Sequence, residues 1–259
     1  MLSYFKKSEI DDEKIYSELF YRFLRHTDSK DNFINIFQTL FPSTSNLTGL
    51  DVGCGVGNIT GQLGKGFRFA TGIEPNGYLL SQSNLHKSEN VNYVRKKLES
   101  YQSDDKYDII IVSYFFDTLN VSEYGINLQS LEHLLSDDGR ILGVSFLPNS
   151  KWDQYLEAVA ESLGIERKGG AIQVNKRLAH FGWQMNIIAC WRSFVIGETV
   201  EQLYDTMVFF VRKKAYEYIT GRSELLETLE AFSRGNSCQK LEMYEVIYEC
   251  RPTQTARLI

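Results

Sequence analysis

The sequence predicts an α/β protein built on a doubly wound, mostly parallel sheet, and three observations lead there. From Leu47 onward, short apolar runs alternate with helical stretches. The run Tyr107-Asp108-Ile109-Ile110-Ile111-Val112-Ser113 is nearly continuous in apolar residues, as in a strand buried on both faces. Glycines cluster at Gly53, Gly55 and Gly57, directly after the first apolar run, where a strand would hand over to a helix.

The elements follow in order. Residues 8–26 carry Ile15, Leu19 and Phe23, with Tyr16, Phe20 and Leu24 one step round, which is the i, i+4, i+8 pattern of an amphipathic helix. A second helix is expected over 31–41, capped by Ser29 or Asp31 and stopped before Pro42. Strands are expected at 48–52, 68–73, 91–94, 107–113 and 140–146, the last after an Asp138-Gly139 turn. Helices at 58–65, 77–86 and 125–135 would make right-handed crossovers between them. Lys151 to Leu163 reads as a helix, and Gly169-Gly170 breaks the chain. Asn186 to Ile196 is strand-like. Thr199 then caps a helix with Val200, Leu203, Met207 and Phe210 on one face. A further helix over 223–233, a Gly235-Asn236 turn and a closing strand over 241–250 complete the reading.

Bulk properties narrow the class. At 259 residues the chain can bury a substantial core in one large domain with a small appendage. A net charge of −5 argues against a broad nucleic-acid-binding face. The short basic runs Lys96-Lys97 and Arg212-Lys213-Lys214 read as solvated surface. Four cysteines, at 54, 190, 238 and 250, have neither Cys-x-x-Cys spacing nor zinc-type histidine partners, so no metal is expected and the thiols read as reduced. Charged residues begin at Lys6 with no signal-peptide core, and no apolar run approaches the ~18 residues of a membrane span. A cytoplasmic protein is the expectation.

The first strand and its turn read Leu50-Asp51-Val52-Gly53-Cys54-Gly55-Val56-Gly57. Ile73-Glu74-Pro75-Asn76 ends the next apolar run, which puts a carboxylate near the offset of about 20 residues at which acids meet ribose hydroxyls. A dinucleotide fingerprint needs its third glycine at position 58, which is Asn58. Asp51 stands before the first glycine. A carboxylate there repels a pyrophosphate but suits a cofactor with an ammonium group, which points to S-adenosylmethionine.

At these residues the chain resembles the class I S-adenosylmethionine-dependent methyltransferases. Asp51 to Gly57 matches their acid-x-Gly-x-Gly-x-Gly motif. Tyr107 to Ser113 looks like the family's fourth strand, and Ser136 to Val144 resembles its turn and fifth strand. The resemblance covers about residues 45–148. It implies a seven-stranded sheet whose last strand is antiparallel. It also implies an N-terminal helical cover over 1–45 and a cofactor-binding domain over 46–259. A helical insertion at about 197–238, between strands 6 and 7, would contribute to a substrate pocket.

The resemblance also assigns roles. Asp51 would meet the methionine ammonium, the backbone of Gly53 and Gly55 would lie against the cofactor, and Glu74 would bind the ribose hydroxyls. Pro75 and Asn76 would line the adenine edge. Relatives often place an acid for the adenine amine where this chain has Lys97, leaving the Leu98 backbone and Glu99 as substitutes. Ser113 and Tyr114 would lie where donor faces acceptor. Their context, Ser-Tyr-Phe-Phe, is not the Asn/Asp-Pro-Pro-Tyr/Phe tetrad used on planar amino groups of bases.

The substrate side is less sharply marked. Tyr16, Tyr21, Tyr114, Trp183 and Trp191 are candidate substrate contacts, and packing accounts for their aromatic character equally well. The same two readings apply to Tyr204, Phe209 and Phe210. His180 is the candidate general base, set against a plain surface histidine. The function expected is methyl transfer to an O, N or S atom of a small molecule, with S-adenosylhomocysteine as product. Alternatives are a protein or RNA methyltransferase and a cofactor-binding subunit without turnover. A homodimer is left open.

Overall fold

The computed structural model describes residues 13–167, 169–233 and 238–253. Two helices, α1 (Glu13–Arg25) and α2 (Ser29–Leu40), precede β1 (Thr48–Val52), α3 (Asn58–Gly64), β2 (Phe69–Ile73) and α4 (Gly77–Gln82). Then come β3 (Val91–Val94), β4 (Tyr107–Ser113), α5 (Phe115–Thr118), α6 (Val121–Leu134) and β5 (Leu135–Leu147). The chain continues with α7 (Lys151–Leu163), α8 (Ala171–His180), β6 (Trp183–Gly197), α9 (Val200–Met207), α10 (Ala215–Thr220), α11 (Arg222–Ser233) and β7 (Gln239–Pro252). The predicted Gly235-Asn236 turn and residues 8–12 of the predicted first helix lie outside the described residues.

One seven-stranded sheet results, in the order β3-β2-β1-β4-β5-β7-β6. Strands β1 to β5 pair in parallel, and β7 enters antiparallel between β5 and β6. Strands β1, β3 and β4 begin and end where the apolar pattern puts them. In β4, Ile110 and Val112 have no exposed surface, each burial contributing about 1.5–3 kcal/mol. Strand β5 starts earlier than predicted. Tyr107 pairs with Leu135 and Ile109 with Arg140, so the Asp138-Gly139 turn is an irregularity within the strand.

The chain forms two compact units. One comprises residues 31–146, 169–191 and 245–253. Its core packs Phe33, Ile34 and Phe37 of α2 with Ile59 and Leu63 of α3 and with Ile109, Ile111, Leu142, Val144 and Ile247 of the strands. The other comprises residues 13–30, 147–167, 192–233 and 238–244. There Tyr204 stacks on Tyr218 at 4.2 Å, and the Tyr155 and Tyr218 hydroxyls share a hydrogen bond of 2.7 Å.

Caps set several boundaries. Ser150 accepts from the Asp153 amide at the start of α7, and Thr199 accepts from the Gln202 amide at the start of α9. A capping box of Asn120 and Glu123 starts α6 at Val121, four residues before the apolar pattern suggests. Helices α5, α8 and α10 have no counterpart in the sequence reading. In α8 only Ala171, Val174 and Leu178 are buried, a stripe too narrow to stand out between Gly170 and Gly182.

Candidate functional site

The site forms where the carboxyl ends of β1 and β2 meet the glycine loop. Asp51 lies in β1 between Gly72 of β2 and Ile111 of β4, and only 3% of it is exposed. In the first turn of α3, Thr60 donates its hydroxyl to Asp51 Oδ2 at 2.6 Å. Gly72 makes room for this contact. A Cβ there would stand 2.9 Å from both Thr60 Oγ1 and Cys54 Sγ, pushing the hydroxyl off the carboxylate.

The loop turns on three left-handed glycines, Gly53, Gly55 and Gly57, at φ of +70°, +57° and +80°. Other L-residues pay about 1–2 kcal/mol for that region. The Gly53 and Cys54 amides both donate to the Ile73 carbonyl, at 2.8 and 3.0 Å, which ties the loop to the end of β2. The Tyr93 hydroxyl donates to the Gly57 carbonyl at 3.2 Å, and a Cβ at 57 would lie 2.7 Å from that hydroxyl. Gly57 therefore serves packing. A Cβ at Gly53 would meet, among the described residues, only the Phe115 ring at 3.9 Å, so the backbone there lies open.

Glu74 follows β2 and is 7% exposed. Its Oε2 accepts from the Gly55 amide at 3.1 Å, and its Oε1 from the Asn76 amide at 2.9 Å. Asn76 in turn caps α4 by accepting from the Tyr78 and Leu79 amides. Pro75 is exposed, and its carbonyl accepts from Arg95 Nε at 3.1 Å. Burial pushes the Cys54 thiol well above its ordinary pKa, and the Asp51 and Glu74 charges push it further. That negative potential favours a positively charged ligand group.

These residues fit an adenosyl group that carries a cationic amino-acid end. Open space at the Gly53 backbone allows close approach, and two buried carboxylates at the ends of neighbouring strands supply the acceptors such a group needs. A pyrophosphate would face Asp51 instead. Leu98 is buried in a 3-10 turn over Leu98–Ser100, and the exposed Glu99 pairs with Lys97 at 3.9 Å.

Ser113 ends β4 and Tyr114 follows it as the residue before α5, both half-buried. Tyr114 adopts φ +56°, stacks on Phe146 at 4.6 Å and directs its hydroxyl to the fully buried Glu245 of β7. Trp183 is 5% exposed at the start of β6, and Trp191 packs toward Phe33 at 6.5 Å. His180 ends α8 as an exposed side chain, its ring perpendicular to Phe181. Tyr16 and Tyr21 belong to α1 in the other unit. There Tyr16 stacks on Phe20 at 6.1 Å and meets Phe209 edge-on at 5.6 Å. Tyr204 has no exposed surface and is core.

Thr60, Tyr93 and Glu245 escaped the sequence reading. Thr60 alone had a signal, a small polar residue on the third position of the helix after the glycine loop. Among the described residues no three His, Cys, Asp or Glu side chains gather as metal ligands, and no helix is long and apolar enough to cross a membrane.

Comparison with known proteins bears on the family and the fold. The profile of the family described as methyltransferase domain matches residues 23–203. An uncharacterized methyltransferase of Staphylococcus carnosus is 29% identical over 115 residues, which is 44% of this chain. The match spans 55% of that relative's length. Among solved structures, the YcgJ protein from a Bacillus species superposes with a TM-score of 0.59 at 15% identity, covering 85% of this chain and 98% of that one. The N-methyltransferase NodS from Bradyrhizobium japonicum, solved with S-adenosyl-L-homocysteine, gives a TM-score of 0.50 at 11% identity over 85% of this chain and 86% of its own. These structural likenesses are likenesses of fold.

Proposed function

We propose, for a chain that belongs to the methyltransferase domain family, transfer of a methyl group from S-adenosylmethionine to an O, N or S atom of a small-molecule acceptor. The observation that carries this reading is the pairing of buried Asp51 and Glu74 on either side of an open glycine loop. When bound, the cofactor supplies a sulfonium methyl group open to attack by an acceptor lone pair, and S-adenosylhomocysteine is the product.

The residues have distinct tasks. Asp51, fixed by Thr60, attracts the ammonium end. Glu74 exchanges its loop amide contacts for ribose hydroxyls, while Pro75, Asn76, Leu98 and Glu99 border the adenine. Ser113 and Tyr114 stand at the end of β4, beside the reacting groups. Methyl transfer neutralises charge, so catalysis rests on positioning and exclusion of water, with a base needed only where the acceptor must lose a proton. His180 is the candidate for that base. Trp183 and Trp191, in the same unit as Asp51 and Glu74, are the candidate acceptor contacts. The net charge of −5 favours a small molecule over RNA.

The test is a metabolite screen with an isotopically labelled methyl donor, followed by mass identification of the labelled product. Label appearing only in protein or RNA would replace the small-molecule reading. Cofactor binding with no labelled product from any pool would favour a subunit without turnover.

A further inference from the structure

Helix α8 begins against a partly buried carboxylate, one oxygen of it enclosed, that the cofactor site does not use. Asp117, in α5, accepts at Oδ1 from the Ser145 hydroxyl at 2.8 Å and from the Gly170 amide at 2.5 Å. Ser145 is a fully buried residue of β5, and Gly170 is the N-cap of α8. The chain crosses the carboxylate closely, since a Cβ at Gly169 would sit 3.1 Å from the Asp117 side chain. Gly169 and Gly170 manage this passage at φ of +99° and +81°.

The second carboxylate oxygen, Oδ2, is buried and has no hydrogen-bond partner among the described residues, and the same is true of the Tyr248 hydroxyl. Both lie along one face of β5. Positions 143 and 145 point the same way, and a Cβ at Gly143 would fall 2.0 Å from the Tyr248 ring. Arg177 of α8 attracts the Asp117 charge, while Tyr124 of α6 and Tyr248 of β7 also feel it.

We propose that Asp117 is a pH-responsive latch on the first turn of α8, held most firmly when the carboxyl is protonated and loosened as it ionises. Its place gives the latch a use, and this rests on the methyltransferase reading. Asp117 follows the carboxyl end of β4 and bonds near that of β5, the strand ends left to an acceptor when the donor sits at β1 and β2.

The sign follows from linkage. Burial, outweighing the bonds from Ser145 and Gly170 and the charge of Arg177, pushes the closed carboxyl up to about 6. In an opened turn the carboxyl is solvated and returns to about 4. Opening therefore grows easier as pH rises from about 4 to about 6, up to about 100-fold, and levels off above.

Amide hydrogen exchange on the full chain tests this, with and without S-adenosylhomocysteine, corrected for the intrinsic pH dependence of exchange. In the wild type, protection of residues 169–175 should fall about tenfold between pH 5 and pH 7.5. Asp117→Asn should keep those amides protected and remove the pH dependence. Ser145→Ala takes away a bond that holds the carboxyl pKa down, so it should move the midpoint to higher pH. That variant decides the matter if Asp117→Asn does not fold. A flat wild-type profile, or an unchanged midpoint in Ser145→Ala, overturns the latch. Failure of S-adenosylhomocysteine to bind, read by titration in the same buffers, counts against the methyltransferase reading alone.

Discussion

The Thr60 hydroxyl donates to Asp51 Oδ2 at 2.6 Å, so the carboxylate ending β1 is fixed by the first turn of the helix that follows the glycine loop. Charge and hydrogen bonding at Asp51 can therefore be separated. Asp51→Asn keeps an acceptor for Thr60 and removes the charge. It should weaken S-adenosylhomocysteine binding by about 1.5–3 kcal/mol, the scale for hydrogen bonds to charged groups, with little change in the apo melting temperature. Calorimetric titration and a thermal melt check this, and an unchanged Kd would remove Asp51 from the site.

Glu74 holds the loop, because it accepts from both the Gly55 and Asn76 amides, and it is also the proposed ribose contact. Glu74→Ala should lower the apo melting temperature and also weaken S-adenosylhomocysteine binding by about 1.5–3 kcal/mol. Full affinity in a variant that still folds would show that the ribose contacts lie elsewhere.

Asp117 gives stability a pH dependence opposite to that of an ion-paired aspartate. Burial raises its folded pKa to about 6, from the ordinary 3.8. The stability it contributes is fully present below the ordinary value and is lost as pH rises through about 6, a change on the order of 2–3 kcal/mol. Asp117→Asn should melt higher than wild type at pH 8, the two curves converging toward pH 4. Parallel curves at every pH would exclude this role.

Thiol chemistry offers an independent check on the burial of the loop. Cys54 is buried and its thiol is pushed well up by burial, then by Asp51 and Glu74, whereas Cys190 is exposed. The thiolate is the reacting form. Iodoacetamide at pH 7.5 should label Cys190 in the native protein and reach Cys54 only in denaturant, as read by peptide mass mapping. Early labelling of Cys54 would mean that the loop opens.

Much of this was readable in the sequence, for identifiable reasons. Strand β4 is buried on both faces and therefore spells a continuous apolar run. The glycine loop could be read because left-handed backbone at 53, 55 and 57 restricts the residue type directly. Thr199 announced its helix as a cap. Helix α8 was hidden by its narrow apolar stripe. The Asp117 contacts were hidden for another reason, since they join residues 28 and 53 positions apart that no local pattern links. The same holds for Tyr114 and Glu245, 131 positions apart.

The central claim is that Asp51 and the glycine loop select an adenosyl cofactor with a cationic end rather than a dinucleotide. Competitive calorimetric titration of the full chain with S-adenosylhomocysteine, NAD and ATP tests it most directly. S-adenosylhomocysteine should bind at least about tenfold more tightly than either competitor, a difference of about 1.4 kcal/mol. NAD binding more tightly than S-adenosylhomocysteine would contradict the account.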